Sequence, residues 1–244
     1  MFILPMLGRS TRFYSAGYKL PKYKLPLGNS DRLLIDWVLL SFNKYFHSDL
    51  FVLICRRDSG DELFLRKRLR DLGVINFKVI VVDGETRGQA ESVSIGLDGL
   101  TLSDELFIFN IDTFLYNFDK WSLRHRSTGY LEVFKGEGNH WSFVKPSSAD
   151  SDLAESVVEK VRVSDLCSNG LYYFASVQEY LLAYSDFQRN PIGNYSEQFV
   201  APLYNSVIQR GGLVRFRLIP FDEIGFSGTP SEYLALQSNL SLVR

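Results

Sequence analysis

The chain opens on an apolar run, Phe2-Ile3-Leu4-Pro5-Met6, that breaks at once into a small polar turn, Gly8-Arg9-Ser10-Thr11-Arg12. An uninterrupted apolar strand belongs in a parallel sheet covered on both faces, and a glycine-containing basic turn at its carboxyl end is a phosphate cradle. A second short basic segment follows, Pro21-Lys22-Tyr23-Lys24-Leu25-Pro26-Leu27. Two fixed cations, Arg12 and Lys22, can then flank a polyphosphate.

The rest of the chain repeats the alternation. Strands are predicted at Phe2–Met6, Leu50–Cys55, Phe77–Val82 and Glu105–Asn110, with helices over Leu33–Tyr45, Asp61–Leu72 and from Thr86 to Gly96. That order predicts an α/β fold with a mostly parallel central sheet flanked by helices. The basic face of the second helix (Arg66, Lys67, Arg68, Arg70) reads as a solvated surface or an anion contact. From about Trp121 the texture becomes mixed β: strands at Gly129–Phe134, Trp141–Lys145, Ser156–Val161 and Leu171–Phe174, helices at Val177–Tyr184 and Ser196–Gln209, and a late strand at Leu213–Pro220. Pro146–Asp152 reads as a hairpin loop, so the 244 residues are expected to form one domain.

Composition excludes several classes. A hydrophobic share of 45% with 23% charged residues is that of a globular protein. A net charge of -1 gives no bulk attraction to nucleic acid or acidic membrane, and no apolar run approaches the ~20 residues of a membrane span. Cys55 and Cys167 lie in apolar stretches without metal-ligand spacing, as expected of reduced, buried thiols in a cytoplasmic protein. The three histidines carry no triad or metal spacing.

Pro5-Met6-Leu7-Gly8-Arg9-Ser10-Thr11-Arg12-Phe13 resembles the G-x-G-[ST]-R-[FL] loop of the sugar-nucleotide nucleotidyltransferases, and Pro21-Lys22 with Leu25-Pro26-Leu27 resembles that family's P-K-x-x-L-P segment. The departure is Ser10, where the second loop glycine is expected. The resemblance implies a Rossmann-like nucleotidyltransferase fold with a mixed β acceptor-binding subdomain, residues 1–120 mainly serving the nucleotide and 121–244 mainly the acceptor. It implies that Leu7, Gly8, Ser10 and Thr11 wrap the nucleotide, and that Arg12 and Lys22 hold the phosphates as pyrophosphate departs.

Phe107-Ile108-Phe109-Asn110-Ile111-Asp112 ends a strand in a polar turn. Asp112 reads alone as a turn cap; the resemblance makes it the Mg²⁺ ligand and places Asn110 at the nucleotide. In Asp83–Ser92, Thr86 and Glu91 read as a helix start, whereas the resemblance makes Gly88 and Gln89 the base contacts. Glu159-Lys160 and Asn169-Gly170 resemble the family's acceptor-binding E-K and [TN]-G-[IL]-Y segments. Gly136–Phe143, polar, glycine-rich and aromatic, is either a plain hairpin or a shaper of acceptor specificity. Gly228-Thr229-Pro230 resembles the family's closing G-T-P, but the second metal-binding aspartate expected two residues earlier is Phe226.

The likeness of Phe109–Asp112, Gly136–Val144, Ser164–Phe174 and Ala201–Asn205 extends to cytidylyltransferases of bacterial capsule loci, among them those joining CTP to phosphoglutamine. The expectation is therefore a Mg²⁺-dependent cytidylyltransferase taking an NTP, CTP first, and a small phosphorylated acceptor, phosphoglutamine ahead of phosphocholine or a sugar 1-phosphate. Rival readings are a nucleotide-binding regulator without turnover and a GT-A glycosyltransferase using Asn110-Ile111-Asp112. Neither nucleic acid nor membrane insertion is expected; homo-oligomerisation is left open.

Overall fold

The structure, a computed structural model, describes residues 1–28, 31–190 and 195–242. Its frame is built from β1 (Phe2–Pro5), α1 (Thr11–Ser15), α2 (Leu34–Leu40), β2 (Phe51–Arg56), α3 (Glu62–Asp71), β3 (Phe77–Val82), α4 (Gln89–Gly96) and β4 (Leu106–Phe109). β4, β1, β2 and β3 lie side by side and all parallel. Residues along β1 alternate between two cores. Phe2 and Leu4 pack with α2 and α3 through Leu34, Ile35, Val38, Leu65 and Leu69; Ile3 packs with α4 through Ala90 and Val93. Both faces being covered is why this strand reads as an unbroken apolar run.

The second half adds β5 (Thr113–Leu115), β6 (Gly129–Lys135), β7 (Ser142–Pro146), β8 (Ala154–Glu159), β9 (Leu166–Phe174), α5 (Val177–Arg189), α6 (Leu203–Gln209), β10 (Val214–Leu218), β11 (Ile224–Phe226) and α7 (Pro230–Leu242). β9 joins the sheet antiparallel to β4, and β6 antiparallel to β9, with β10 parallel to β6 at the edge. β7 and β8 form a hairpin closed by the stretch predicted as its loop. β5 and β11 pair separately.

Several expectations are corrected. The helix predicted from Leu33 to Tyr45 breaks after Leu40 and resumes as a 3-10 turn at Asn43–Tyr45. The third helix starts at Gln89 rather than Thr86, with Gly88 as its cap. α6 begins only at Leu203, because residues ahead of it pair instead with the turn before α4: Gln198 N–H donates to Arg87 O (2.8 Å) and Ala90 N–H to Gln198 O (2.8 Å). Gly136–Phe143 is no hairpin, since β6 and β7 do not pair with each other and both lie against β9. α7 was not anticipated, although Thr229-Pro230-Ser231-Glu232 writes a capping box: Glu232 N–H donates to Thr229 Oγ1 (3.2 Å) and Thr229 N–H to Glu232 Oε2 (2.8 Å), with Pro230 at the first helical position.

Strand order reverses at β1, with β4 on one side and β2 on the other. The crevice beyond the carboxyl ends of β1 and β4 is therefore where a sheet of this kind binds ligands.

Candidate active site

The loop leaving β1 and the turn leaving β4 meet in that crevice. Ser10 holds φ 52° and ψ 30°, the left-handed conformation that the missing glycine would adopt freely. Its hydroxyl compensates by accepting from Lys22 N–H (3.2 Å), which ties the second basic segment to the first. Ser10→Ala keeps the backbone strain and loses this bond, so a thermal scan should show Tm lower by about 2–4 °C, for about 1 kcal/mol. Ser10→Gly relieves the strain along with the bond and should fall less.

The tie places Lys22 Nζ 2.6 Å from Asp112 Oδ2, both side chains only partly exposed. Asp112 is held in turn through its backbone, its carbonyl accepting from Ser227 N–H (2.8 Å). Two clefts open on either side of this pair. The larger, about 420 Å³, is lined by Leu7, Gly8, Lys22, Gly88, Gln89, Asn110 and Asp112. The smaller, about 260 Å³, is lined by Arg12, Trp141, Glu159, Asn169, Gly170 and Tyr172, among others. Gln89, Asn110, Asp112 and Glu197 belong to both.

The junction is tightly specified. Gln89 Nε2 donates to Asn110 Oδ1 (2.6 Å), and Asn110 N–H to Gly170 O (3.3 Å). Gly170 has φ +89°, and a Cβ there would collide with the Asn110 carboxamide. In the smaller cleft the Ser142 hydroxyl donates to the Glu159 carboxylate. Burial pushes the Glu159 carboxyl above its ordinary range, with the Ser142 bond opposing the shift. Trp141 and Phe226 rings stand 5.0 Å apart on the same wall.

Three of the expected residues stand elsewhere. Lys160 is exposed, with its ammonium 4.4 Å from the centre of the Phe199 ring, outside the residues that line either cleft. Thr11 faces a separate hollow with Arg9, Tyr23, Lys24 and Arg56 behind the loop, and Ser10 lines neither cleft. Arg12 lies on the smaller cleft and, among the described residues, makes no ion pair. Conversely, Glu197, Glu232, Trp141 and Phe199 line the smaller cleft without having been singled out as site residues. Glu232 carried a signal, the capping box; Glu197 carried none, since its place depends on the pairing of Gln198 with Arg87 and Ala90.

A Cβ on Gly228 would lie 3.3 Å from Asp112 Oδ2 and 3.4 Å from Glu232 Oε2, so these carboxylates face one another across a glycine. Among the described residues no group of three or more His, Cys, Asp or Glu could enclose a metal. One carboxylate already matched to an ammonium, at a cleft open to an anionic ligand, nevertheless fits Mg²⁺, which takes one or two carboxylates and completes its shell with water and phosphate. No described helix is long and apolar enough to cross a membrane.

No protein-family model and no curated protein matches the chain. Solved structures do. The nucleoside-diphosphate-sugar pyrophosphorylase of Vibrio cholerae RC9 is 39% identical, with 98% of this chain and 100% of that one covered at a TM-score of 0.93. The inositol-1-phosphate CTP transferase of T. maritima shares the fold at 17% identity (99% and 96% covered, TM-score 0.71), as does the UDP-glucose pyrophosphorylase of Acinetobacter baumannii at 15% (100% and 93%, TM-score 0.70). With the Arg12/Lys22 loops, the strand-end Asp112 and a full-length match at this identity, the chain belongs to the nucleotidyltransferase family.

Proposed function

We propose that this nucleotidyltransferase is a Mg²⁺-dependent cytidylyltransferase that joins CTP to a small phosphorylated acceptor, phosphoglutamine first, in cytoplasmic steps of bacterial capsule or surface-polysaccharide synthesis. The observation that carries the reading is the pair of clefts sharing Gln89, Asn110 and Asp112, with Lys22 at their junction. Such a site brings an NTP and a second ligand into contact at one carboxylate.

In the proposed reaction a phosphoryl oxygen of the acceptor attacks the α-phosphorus of the NTP. The bond from that phosphorus to the bridging oxygen breaks, and pyrophosphate leaves with the electron pair. The attacking oxygen is already anionic, so no general base is needed. Lys22 holds the NTP phosphates from the larger cleft, and Arg12, which lines the smaller one, would meet them from the acceptor side; together they offset the charge growing on the leaving group, while Leu7, Gly8, Ser10 and Thr11 shape the loop. Mg²⁺, held by Asp112, would supply further charge neutralisation at the α-phosphate. Gly88 lets the base approach the backbone. Gln89 donates one amide N–H to Asn110, which fixes the carboxamide, and its carbonyl can accept from the amino group of cytosine. Glu159, Asn169 and Gly170 hold the acceptor; Lys160, which lines neither cleft, would have to leave the Phe199 ring to reach its phosphate.

The test is pyrophosphate release with Mg²⁺ and each of CTP, UTP, dTTP, GTP and ATP, against phosphoglutamine, phosphocholine, glycerol 3-phosphate and several hexose 1-phosphates. Turnover with CTP and phosphoglutamine is the expected result. Turnover with a hexose 1-phosphate and another NTP instead would replace the substrates. Silence across the panel, with CTP still raising Tm, would favour the regulator reading.

A further inference from the structure

β6 and β9 are neighbours with a fault in their register. Leu131 pairs with Tyr172 and Val133 with Ser168, so the single residue Glu132 stands opposite Asn169-Gly170-Leu171. The surplus residues on β9 bulge toward Asn110, and two of them line the smaller cleft. Glu132 is only 1% exposed, and a buried carboxylate is costly unless it organises its surroundings. Its Oε2 accepts from Asn169 Nδ2 (3.2 Å), while Asn169 Oδ1 accepts from Leu171 N–H (3.0 Å). Both ends of the Asn169 carboxamide are thereby committed.

We propose that Glu132 is a positioning residue for acceptor binding: its buried carboxylate locks the Asn169 carboxamide and, through the bulge, the Gly170 backbone that accepts from Asn110 N–H. It touches neither cleft itself. This rests on the reading of Asn169 and Gly170 as acceptor contacts.

The groups facing Glu132 make the lock sensitive to pH. Arg217 on β10 stands 3.5 Å from it, its guanidinium also donating to Asp119 O (3.0 Å). Glu223, in the turn before β11, adds a repelling charge, and Tyr130 is on Glu132's own strand. Burial pushes the Glu132 carboxyl up to about 7, against the opposing pull of Arg217 and the Asn169 bond. The folded state therefore holds this proton more tightly than the unfolded chain. Stability from this group is present at low pH and is lost as pH rises from the ordinary carboxyl range through about 7. The lock itself works the other way, since the charged carboxylate is the stronger acceptor for the Asn169 amide.

Protein labelled with ¹⁵N-asparagine reads the lock directly, the Asn169 side-chain signals being assigned by their loss in Asn169→Ser. These signals should titrate near pH 7 in the wild type and stay flat in Glu132→Gln. Equal behaviour in both proteins overturns the proposal, whatever the acceptor panel shows; silence of that panel bears on the function alone. With the acceptor the panel identifies, Glu132→Leu should raise acceptor KM on the order of ten-fold and leave CTP KM within about two-fold. In Glu132→Gln, the ratio of wild-type to variant acceptor KM should change across pH 6–8, a ratio from which the acceptor's own titration cancels. A folded Glu132→Leu with unchanged acceptor KM, or a pH-independent ratio, refutes it.

Discussion

Lys22→Ala is expected to lower kcat for pyrophosphate release on the order of 10²–10³, the loss seen when one preorganised charge is removed from a transition state. The ammonium sits 2.6 Å from Asp112 at the point where both clefts meet, and among the described residues no other lysine lines either of them. Asp112 would be shared between Lys22 and the Mg²⁺ proposed for it, so the ammonium and the metal would together balance the charge of the phosphates. Lys22→Arg should not restore the rate, because a planar guanidinium cannot take the place of a compact ammonium on a flexible stem. Stability should change far less than rate. Both side chains retain access to water, which screens the pair and supplies Asp112 with hydration once Lys22 is gone. Asp112→Asn in the Lys22→Ala background should cost further rate, because Asp112 would still hold Mg²⁺ without its Lys22 partner. A Lys22→Ala enzyme that keeps its kcat within a few-fold would remove Lys22 from the mechanism.

The parallel half was legible in the sequence because its inner strands, β1, β2 and β4, are buried on both faces and its edge strand β3 is still a continuous apolar run but for Lys78. Phe2–Pro5, Phe51–Arg56 and Phe77–Val82 fall where the apolar runs are, and the turns that carry Gly8, Lys22 and Asp112 follow from the strand ends. The basic face of α3 also had a local answer: Arg66 and Lys67 pair with Glu62 and Asp71 on the same helix, while Arg68 reaches the buried Asp36 on α2. The acceptor half was less legible. Whether Gly136–Phe143 is a hairpin depends on which strands β6 and β7 choose, and both choose β9, which no local pattern specifies. The same loop is then tied down by Arg162, donating to Gly136 O (2.8 Å) and Gly138 O (2.7 Å), so its shape is set by a residue beyond the next hairpin. Glu132 escaped notice for the same reason. In sequence it is one acid within Gly129–Lys135; only the slipped register makes it the partner of Asn169.

These long-range ties have a common consequence. The base contact proposed for Gln89 and the acceptor contact proposed for Gly170 are separated by one residue, Asn110, bonded to both. Nucleotide and acceptor would therefore be sensed through one residue, Asn110, by its side chain on one side and its backbone N–H on the other, and a change at Gln89 should alter the KM of both substrates. Trp141 and Phe226 line only the smaller cleft, so substitutions there should leave CTP binding alone.

Gly88→Ala should do the most damage of any single methyl group added near the site. The residue has φ +145°, and its Cβ would lie 2.5 Å from Gln198 N and 2.6 Å from Gln198 O. Backbone cannot swing aside as a side chain can. The segment around Gln198 must retreat, giving up its bonds to Arg87 O and Ala90 N–H and carrying away Glu197 and Phe199, which line the smaller cleft. Strain of about 1–3 kcal/mol with two lost bonds of about 1 kcal/mol each predicts a fall of about 3–5 kcal/mol, or roughly 6–20 °C in Tm. CTP affinity, read from the rise in Tm with ligand, should fall on the order of ten-fold or more, because Gly88 and Gln89 move with the clamp. Gly84→Ala is the control: φ is +75° and, its chain neighbours aside, none of the described residues lies within 4 Å of its Cβ, so only the conformational cost of about 1 kcal/mol applies and CTP binding should survive. If the two variants lost equal stability and bound CTP equally well, the clamp between Gly88 and Gln198 would not be what holds the two clefts together.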